Sequence, residues 1–448
     1  MAVPQDSPRK RMSYRDLIRI RSGLGLAERT ATFTDWILEE RAAGTDGLQY
    51  RRVLGPMDRV VTVQSHTGPP RPMLMFGSNN YLGLATHPTV VRRVQRAVAE
   101  HGAGVGGPPA LNGHGPLHRE LEERLADLEG QEAALLYGSG YAANVGLLSA
   151  LPAPGDLVIY DAHSHASFID GIKLGRIEGR AVPHGDLRAL EAALAAHRPN
   201  HRDVFVNVEG VYSMTGDVSR LDRVAELCRR YDAALIVDDA HGTGVTGPGG
   251  RGTLAMFDAC EAATAVVGTF SKSFAVSGGF VAASRAVVEY LRYFSRAYVF
   301  SASPSPAVCA AVLAGLDVIE QEPEIHGRLV ENAAVLADGL RALGFEADGV
   351  TPIFSLPAPP DADVRAMAHA FDARDVFVNH VEAPVVPARE QRFRLSVSAV
   401  HTRADIERLL AAVAEVWAGA LPFCGDGAMG GTLPDLDEPT LDAYQGGF

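Results

Sequence analysis

The middle of the sequence alternates short apolar runs with longer amphipathic segments, and this alternation limits the possible folds most strongly. Six runs are predicted strands: Ala133–Tyr137, Leu157–Tyr160, Val204–Val208, Ala234–Val237, Thr264–Val267 and Phe280–Ala283. Between runs, leucines recur every three or four positions, as at 117, 121, 125 and 128, which is the spacing of one helix face. Strands that alternate with helices are typical of a mostly parallel sheet flanked by helices. The sequence therefore predicts an α/β fold.

A smaller C-terminal unit of α+β type is predicted to follow this large domain. It opens with a long helical region from Leu313 to Leu343, followed by a strand at "TPIFSLP". In "RFRLSVSAV" apolar residues alternate with Arg394 and two serines, which places the arginine and the serines on one strand face. A last helix is expected to begin near Thr402. We divide the chain into an N-terminal segment (1–75), a large domain (76–309), a small domain (310–420) and a Gly- and Asp-rich tail (421–448), which we expect to be disordered.

Composition argues against several classes of protein. The net charge of −13 disfavours general binding to nucleic acid, because neutralising phosphates requires a basic surface. No run of about 18 apolar residues is present, so no transmembrane helix is expected. The basic N-terminus lacks the apolar stretch of a signal peptide, so we expect a cytoplasmic protein. The four cysteines lie far apart without C-x-x-C spacing, and free thiols are therefore a better interpretation than disulfides or a zinc site.

Polar residues follow two of the predicted strands. "IVDDAHGTGVTG" places Asp238, Asp239 and His241 at a strand end, where ligands bind in open α/β sheets. Helix capping by Asp239 and a turn at the glycines would explain the same residues. "YGSGYAAN" places Ser139 and Gly140 before a helix, whose first backbone amides suit a phosphate. An ordinary turn would use similar residues, so neither pattern decides the function alone.

A lone cation, Lys272, lies in "GTFSKSFAVSGG" among hydroxyl groups and glycines. It is either an ordinary loop lysine or a nucleophile, and a nucleophilic lysine needs surroundings that lower its pKa. "DAHSHASFIDG" adds His163 and His165, whose spacing does not suit a metal site on one helix face. Phosphate turn, histidine, strand-end aspartate and lysine together are the parts that pyridoxal 5′-phosphate (PLP) requires. The combination favours a PLP site without metal.

With these motifs the sequence resembles the α-oxoamine synthases, which are PLP enzymes of the fold-type I aminotransferase superfamily. The resemblance covers about residues 76–417, is closest to the serine palmitoyltransferase type, and is carried by "SNNYLGL", "LNGHGPLHRELE", "SGYAAN", "SHASFIDG", "VEGVYSMTGD", "VDDAHGTGVTGPGGRG", "GTFSKS" and "RLSVSAVHT". It implies the fold-type I architecture, PLP as cofactor, and a homodimer whose active sites are shared between subunits.

The resemblance also implies roles for single residues. Lys272 matches the lysine that binds the cofactor covalently, Asp238 the partner of the pyridine nitrogen, His241 the group near the phenolic oxygen and His165 the residue stacked on the ring. Further matches to cofactor-binding positions are Ser139, Gly140, Tyr141, Glu209, Ser213, Thr269, Ser271 and Ser301, the last reaching the phosphate of the neighbouring subunit. Asn80 and Arg394 match the groups that hold the substrate carboxylate.

The implied reaction is a decarboxylating Claisen-type condensation. An amino acid, with serine favoured, would react with an acyl thioester of CoA or of an acyl carrier protein to give an α-amino ketone. The alternatives are 8-amino-7-oxononanoate synthase or 2-amino-3-ketobutyrate CoA ligase activity, with alanine or glycine as the amino acid, and a plain aminotransferase. A catalytically inactive partner subunit would lack Lys272, and a nucleotide-binding module would need a G-x-G-x-x-G or P-loop sequence after an early strand.

Two departures from the family pattern concern the acyl group. Pro108-Pro109 stands where many members carry Ser/Thr-Arg before "LNG", and His114 replaces a common threonine or serine. In the aminolevulinate branch that arginine is thought to meet the acyl carboxylate. Without a cation there, a dicarboxylic acyl donor loses its bidentate partner. We therefore expect an unusual or more apolar acyl group.

Overall fold

The computed structural model describes residues 17, 20, 21, 23–42, 48, 50–65, 68–360, 362–382, 386 and 388–420. Its strands are β1 (Arg52–Leu54), β2 (Val60–Gln64), β3 (Arg71–Met75), β4 (Ala133–Tyr137), β5 (Leu157–Asp161), β6 (Glu178–Val182), β7 (Val204–Glu209), β8 (Ala234–Asp238), β9 (Ala263–Thr269), β10 (Gly279–Ala283), β11 (Ile353–Pro357), β12 (Val376–Phe377), β13 (Asn379–Val381) and β14 (Arg392–Ser396). Its α-helices are α1 (Leu26–Ala42), α2 (Pro88–His101), α3 (Pro116–Glu129), α4 (Gly140–Leu148), α5 (Ala166–Gly175), α6 (Leu187–His197), α7 (Leu221–Arg230), α8 (Thr253–Met256), α9 (Arg285–Phe294), α10 (Arg296–Val299), α11 (Pro306–Gln321), α12 (Pro323–Ala342), α13 (Val364–Asp372) and α14 (Arg403–Ala418).

The large domain is built on a seven-stranded sheet in the order β4-β10-β9-β8-β7-β5-β6. Strand β10 pairs antiparallel with both of its neighbours, and the other neighbouring pairs are parallel. The predicted α/β fold with a mostly parallel central sheet is therefore confirmed. All six predicted strands are present, and β6 at the sheet edge is an additional one.

Helices cover both faces of this sheet. Along β7, Val204, Val206 and Val208 belong to one apolar cluster, whereas Phe205 belongs to the cluster on the opposite face. Every residue of β7 is buried. Burial on both faces explains why the strand shows no alternation of apolar residues with exposed polar ones.

Two helices occupy the stretch in which the sequence predicted a helical region over residues 313–343. Helix α11 ends at Gln321 and α12 begins at Pro323. A proline disfavours the helical conformation of the residue before it, and Glu322 has φ −125° and ψ 59°. The predicted helical region therefore consists of two helices separated at Glu322. The predicted last helix is α14, whose N-cap Thr402 shares a capping box with Asp405.

Strands from the first 75 residues join the C-terminal part of the chain. Strands β1, β2, β3 and β12 form one sheet, in which β3 runs parallel to β12, and β11, β14 and β13 form another. The domain boundaries stay a prediction. The tail after residue 420, including Cys424, lies outside the described residues, whereas Cys228, Cys260 and Cys309 are free thiols. Within the part of the chain described, no helix is both long and apolar enough to cross a bilayer.

Candidate active site

The candidate site lies at the carboxyl edge of the parallel strands. In the sheet register, Glu209 at the end of β7 lies opposite Asp238 at the end of β8, and Asp238 lies opposite Val267 of β9. Their carboxyl groups are both buried. Adjacent parallel strands thus place two acidic side chains next to each other where open α/β sheets bind ligands.

Lys272 lies in the tight loop between β9 and β10. Phe270 N donates to Gly278 O, Val276 N to Phe270 O, and Ala275 N to Lys272 O, each at 3.0 Å. The side chain is half-buried, and burial lowers the pKa of Lys272 to about 8, against the opposing charges of Asp238 and Glu209. An ordinary exposed loop lysine would not have these neighbours. Desolvation of the amine is the condition that a nucleophilic lysine requires.

Asp238 is held by two donors. Asn144 Nδ2 donates to its Oδ2 at 2.8 Å, and Ala240 N donates to its Oδ1 at 2.9 Å. Asn144 also donates to Ser167 Oγ at 3.0 Å, and both partners are buried. The sequence analysis missed Asn144, although it ends the motif "SGYAAN". These bonds fix the orientation of the Asp238 carboxylate.

His165 caps α5 beside this carboxylate. Its Nδ1 lies 2.7 Å from Ser167 Oγ, and the Tyr141 ring lies edge-on to the imidazole with centroids 6.4 Å apart. Burial lowers the pKa of His165, while the charge of Asp238 raises it. His163 takes a different position, stacked on His184 with ring centroids 4.0 Å apart.

A buried hydrogen-bonded chain joins His241 to Arg394 through Tyr81. Tyr81 Oη lies 2.7 Å from His241 Nδ1, and Arg394 Nη2 donates to the same Oη at 3.3 Å. Burial lowers the pKa of His241 well below its usual value, and the charges of Lys272 and Arg394 lower it further. His241 is therefore neutral near pH 7. Tyr81 was missed by the sequence analysis, although it is part of "SNNYLGL".

The contacts of Arg394 come from residues far apart in sequence. Its Nε donates to Ser213 O at 2.5 Å, and its Nη2 donates to Asn79 Oδ1 at 3.0 Å. The Asn80 side chain is directed elsewhere, because its Nδ2 donates to Met57 O and its Oδ1 accepts from Ala85 N, each at 3.4 Å. The structure thus brings Asn79 to Arg394 and does not bring Asn80 there. Ser213 contributes its carbonyl group rather than its hydroxyl group.

The turn before α4 forms a compact cradle. Ser139 is the N-cap, and its Oγ accepts from Ala142 N at 3.0 Å. A Cβ on Gly140 would lie 2.8 Å from Thr269 Cβ, so only glycine permits this approach. Thr269 Oγ1 lies 3.0 Å from Ser271 Oγ, which places two hydroxyl groups beside the helix N-terminus. Backbone amides and hydroxyl groups in this arrangement suit a phosphate.

Two predicted residues lie at the margin of this cradle. Tyr141 is about half exposed, and its hydroxyl group donates to Asp170. Ser301 is exposed, and its Oγ reaches only Ala302 O, at 3.5 Å. Among the hydrogen bonds of the described residues, none joins Ser301 to the cradle of its own chain.

Glu209 has a buried oxygen without a partner. The residue is only 3% exposed, and among the described groups none forms a hydrogen bond with its Oε1. Burial raises the pKa of Glu209 well above its usual value, and the charge of Asp238 raises it further, while Lys272 opposes this. A buried polar atom that lacks a partner is unfavourable unless a ligand or water supplies one. Glu209 is thus ready to donate or accept a hydrogen bond within the site.

Comparison with known proteins agrees with this geometry. Residues 71–413 match the sequence model of the family "Aminotransferase class I and II". A serine palmitoyltransferase of Bacteriovorax stolpii is 40% identical over 76% of this chain and 82% of its own, and an 8-amino-7-oxononanoate synthase of Exiguobacterium sibiricum is 41% identical over 77% and 88%. Among solved structures, a serine palmitoyltransferase from S. paucimobilis with PLP and myriocin bound superimposes with a TM-score of 0.82 at 29% identity, covering 88% of this chain and 98% of that one.

Proposed function

The chain belongs to the α-oxoamine synthases, within the class I and II aminotransferases, and we propose that it condenses serine with an acyl thioester. The reaction is a PLP-dependent decarboxylating condensation that gives an α-amino ketone. Serine is favoured because a serine palmitoyltransferase is among its most similar relatives and among its similar structures. The observation that carries the proposal is the grouping of the desolvated Lys272 with the charged side chains of Asp238 and Arg394 and with His241.

The described residues fit PLP at each end of the cofactor. Gly140, Thr269 and Ser271 would hold the phosphate, and Asp238 would hold the pyridine nitrogen. The unpartnered Oε1 of Glu209 indicates that the cleft accepts a further polar group. PLP, when bound, supplies a ring that withdraws electrons from the α-carbon of the amino acid.

The side chains of this protein supply the remaining chemistry. Arg394 binds the carboxylate of the amino acid: four of the five N–H groups of its guanidinium have acceptors among the described residues, which hold the side chain in place, and one N–H on Nη1 is left for the substrate. Lys272 Nζ takes a proton from the α-carbon, which its pKa of about 8 permits near neutral pH. His241 stays neutral and its Nδ1 is engaged by Tyr81, so its Nε2 is the nitrogen available to the cofactor oxygen.

The loop after α2 supports an apolar acyl group. Residues 102–115 contain no lysine or arginine, and Leu111 within them is 81% exposed. Pro108 O accepts from the amides of residues 111, 112 and 113, which closes the loop into a single wide turn. His114, the other departure, lies 3.1 Å from Glu122 and is engaged there. A loop of this composition offers an acyl chain apolar contact and gives a second carboxylate no cation.

Two other activities are separable by assay. 8-Amino-7-oxononanoate synthase activity would require alanine in place of serine, and the relative from Exiguobacterium sibiricum favours it. A plain aminotransferase would turn over a keto acid without any thioester. We further propose that the enzyme is a cytoplasmic homodimer, in which Ser301 reaches the phosphate site of the partner subunit.

The test is a substrate screen on the purified protein. Serine, alanine and glycine are each combined with acyl thioesters of increasing chain length, and release of the free thiol is measured. Thiol release with serine and a long acyl chain is expected, and release only with alanine and a dicarboxylic acyl group would favour the alternative. Lys272→Ala should abolish the visible absorbance of bound PLP, and an unchanged spectrum would refute the assignment of the lysine.

A further inference from the structure

Two acidic side chains that the proposed reaction does not use lie behind the active site. Glu129 is the last residue of α3, and Asp239 directly follows Asp238 of β8. Glu129 is 1% exposed and Asp239 is 0% exposed. A Cβ atom added to Gly252 would lie 2.3 Å from Asp239 Oδ2 and 3.4 Å from Glu129 Oε2. The two carboxyl groups therefore border the same small space.

Asp239 is enclosed more tightly than Glu129 and has more donors. Cβ atoms added to Gly210 and Gly242 would lie 2.2 and 2.0 Å from Asp239 Oδ1. No residue larger than glycine therefore fits at either position. Thr253 N donates to Oδ2 at 2.6 Å, and the Thr253 hydroxyl group donates to Oδ1. Glu129 Oε1 accepts one bond, from Thr243 Oγ1 at 2.9 Å. The negative charge is therefore better stabilised on Asp239.

The charged groups around the pair do not neutralise two carboxylates. Asp239 experiences the charges of Asp238 and Lys272, and Glu129 experiences that of Arg251. The Arg251 Nη2 atom donates to a backbone carbonyl, Asp127 O, at 3.2 Å. Among the described side chains, the hydrogen bonds to these two carboxyl groups come from Thr243 and Thr253 and not from a cation. Two interacting buried negative charges without a paired cation are unfavourable, and such pairs normally keep a proton.

We infer that Glu129 and Asp239 share one proton at neutral pH, that Glu129 holds it, and that this pair positions both Asp238 and Lys272. Burial and the charge of Asp239 raise the pKa of Glu129 well above its usual value, and burial raises the pKa of Asp239 to about 6. Asp239 accepts two hydrogen bonds and Glu129 accepts one, so the negative charge resides on Asp239. The roles of Asp238 and Lys272 rest on the proposed function, whereas the protonated pair itself does not.

The pair connects to both functional residues by short paths. Asp239 is adjacent to Asp238 in the chain, and its own amide donates to Val267 O at 2.8 Å, which fixes the end of β8 against β9. Thr243, the donor to Glu129, has its carbonyl oxygen bound by Ser273 Oγ at 2.8 Å. Ser273 directly follows Lys272. Movement of the acid pair would therefore shift the pyridine partner and the lysine loop together, which makes Glu129 a positioning residue.

Amide substitutions locate the proton. In Glu129→Gln the amide carbonyl still accepts from Thr243, and the NH2 group donates as the protonated carboxyl group does. We expect this variant to keep the thermal midpoint of the wild type or to raise it. In Asp239→Asn one of the two acceptors for Thr253 becomes a donor, and we expect a clear fall in the midpoint. Glu123→Gln, on the exposed face of α3, is the control and should leave the midpoint unchanged.

Infrared spectroscopy gives a direct measurement that does not depend on cofactor or substrate. The full-length protein near pH 7 should show the carbonyl band of a protonated carboxyl group, and the difference spectrum between wild type and Glu129→Gln should contain it. Glu209 can contribute a similar band, so the difference rather than the band itself is the readout. No difference band, or a Glu129→Gln variant as unstable as Asp239→Asn, would overturn the inference. Because PLP is not needed, this failure is distinct from failure of the proposed reaction.

The pH dependence of stability provides the second measurement. A carboxyl group with a raised pKa stabilises the folded protein fully below its ordinary pKa, and this contribution is lost as the pH rises through the folded value. The thermal midpoint of the wild type should therefore fall more than that of Glu129→Gln as the pH rises above about 4.3, the ordinary pKa of glutamate. Equal falls in the two proteins would contradict a proton on Glu129.

Discussion

Replacement of Arg394 by lysine tests the carboxylate site most directly, because it keeps the positive charge and removes the planar fork. The guanidinium makes four described hydrogen bonds, to Ser213 O, Ser396 Oγ, Asn79 Oδ1 and Tyr81 Oη. A lysine ammonium is a single point donor that cannot reach these acceptors and a carboxylate together. We expect the KM for the amino acid to rise while PLP remains bound.

The size of the effect follows from the bond that is lost. One charge-assisted hydrogen bond to a carboxylate contributes about 1.5–3 kcal/mol, and each 1.36 kcal/mol is about tenfold in affinity. The KM should therefore rise by about tenfold to about 150-fold. The acyl thioester site is not touched, so its KM should stay the same.

The assay measures initial rates over a range of amino-acid concentrations at saturating acyl thioester, with visible absorbance recorded to verify bound PLP. Arg392→Lys is the matched control, since Arg392 lies on the same strand and its Nε donates to Glu390 O at 2.9 Å rather than into the site. An unchanged amino-acid KM in Arg394→Lys with PLP retained would refute the assignment. Equal losses in both variants would point to damage of β14 instead.

Four further outcomes follow from the structure. The rate at which the apoprotein binds PLP covalently should rise with pH and level off above about 8, because only the neutral amine of Lys272 reacts. Stopped-flow absorbance measures this rate, and a rate that does not change with pH would contradict the prediction. His184 lies between two aspartates that raise its pKa to about 10. Chemical denaturation should therefore show that His184→Gln loses about 2 kcal/mol of unfolding free energy at pH 7. The difference from wild type should shrink as the pH rises through about 10. Gly252→Ala should destabilise the protein strongly, because the residue has φ +87° and its new Cβ would lie 2.3 Å from a carboxylate. Gly249→Ala, at φ +63° in open space, should lower the unfolding free energy by only about 1–2 kcal/mol. Equal thermal midpoints of the two variants would contradict this reasoning. Tyr81→Phe leaves His241 Nδ1 without its partner and should shift the visible absorbance of bound PLP, so an unshifted spectrum would show that Tyr81 does not act on the cofactor through His241.

Strands buried on both faces could be predicted from the sequence, and exposed ones could not. Strands β5 and β7 are buried throughout, and each opens with an unbroken run of at least three apolar residues. Strand β6 lies at the sheet edge with Glu178 and Arg180 exposed, and it has no apolar period to detect. The break between α11 and α12 was detectable in principle, because Pro323 marks it.

Only some of the site residues could be predicted from the sequence, for a similar reason. Residues at strand ends, such as Asp238, could be assigned because the sheet topology places them at one edge. Asn79 and Asn80 are adjacent in an irregular turn without a period of two or 3.6, so nothing in the sequence distinguishes between them. The choice depends on contact with Arg394, which is 315 residues from Asn79 in the chain. Tyr81 and Glu129 were missed for the same reason, since their partners are distant in sequence.

The electrostatic balance around Lys272 explains how one amine can serve both as an anchor and as a base. Burial lowers its pKa, the charges of Asp238, Glu209 and Asp239 raise it, and the charge of Arg394 lowers it again. If all the nearby acids were ionised, the amine would be held in its charged form and could not attack. The raised pKa of Glu209 reduces that negative potential. Burial then prevails, the pKa settles at about 8, and both forms of the amine exist near neutral pH, which is the condition for efficient proton transfer in either direction.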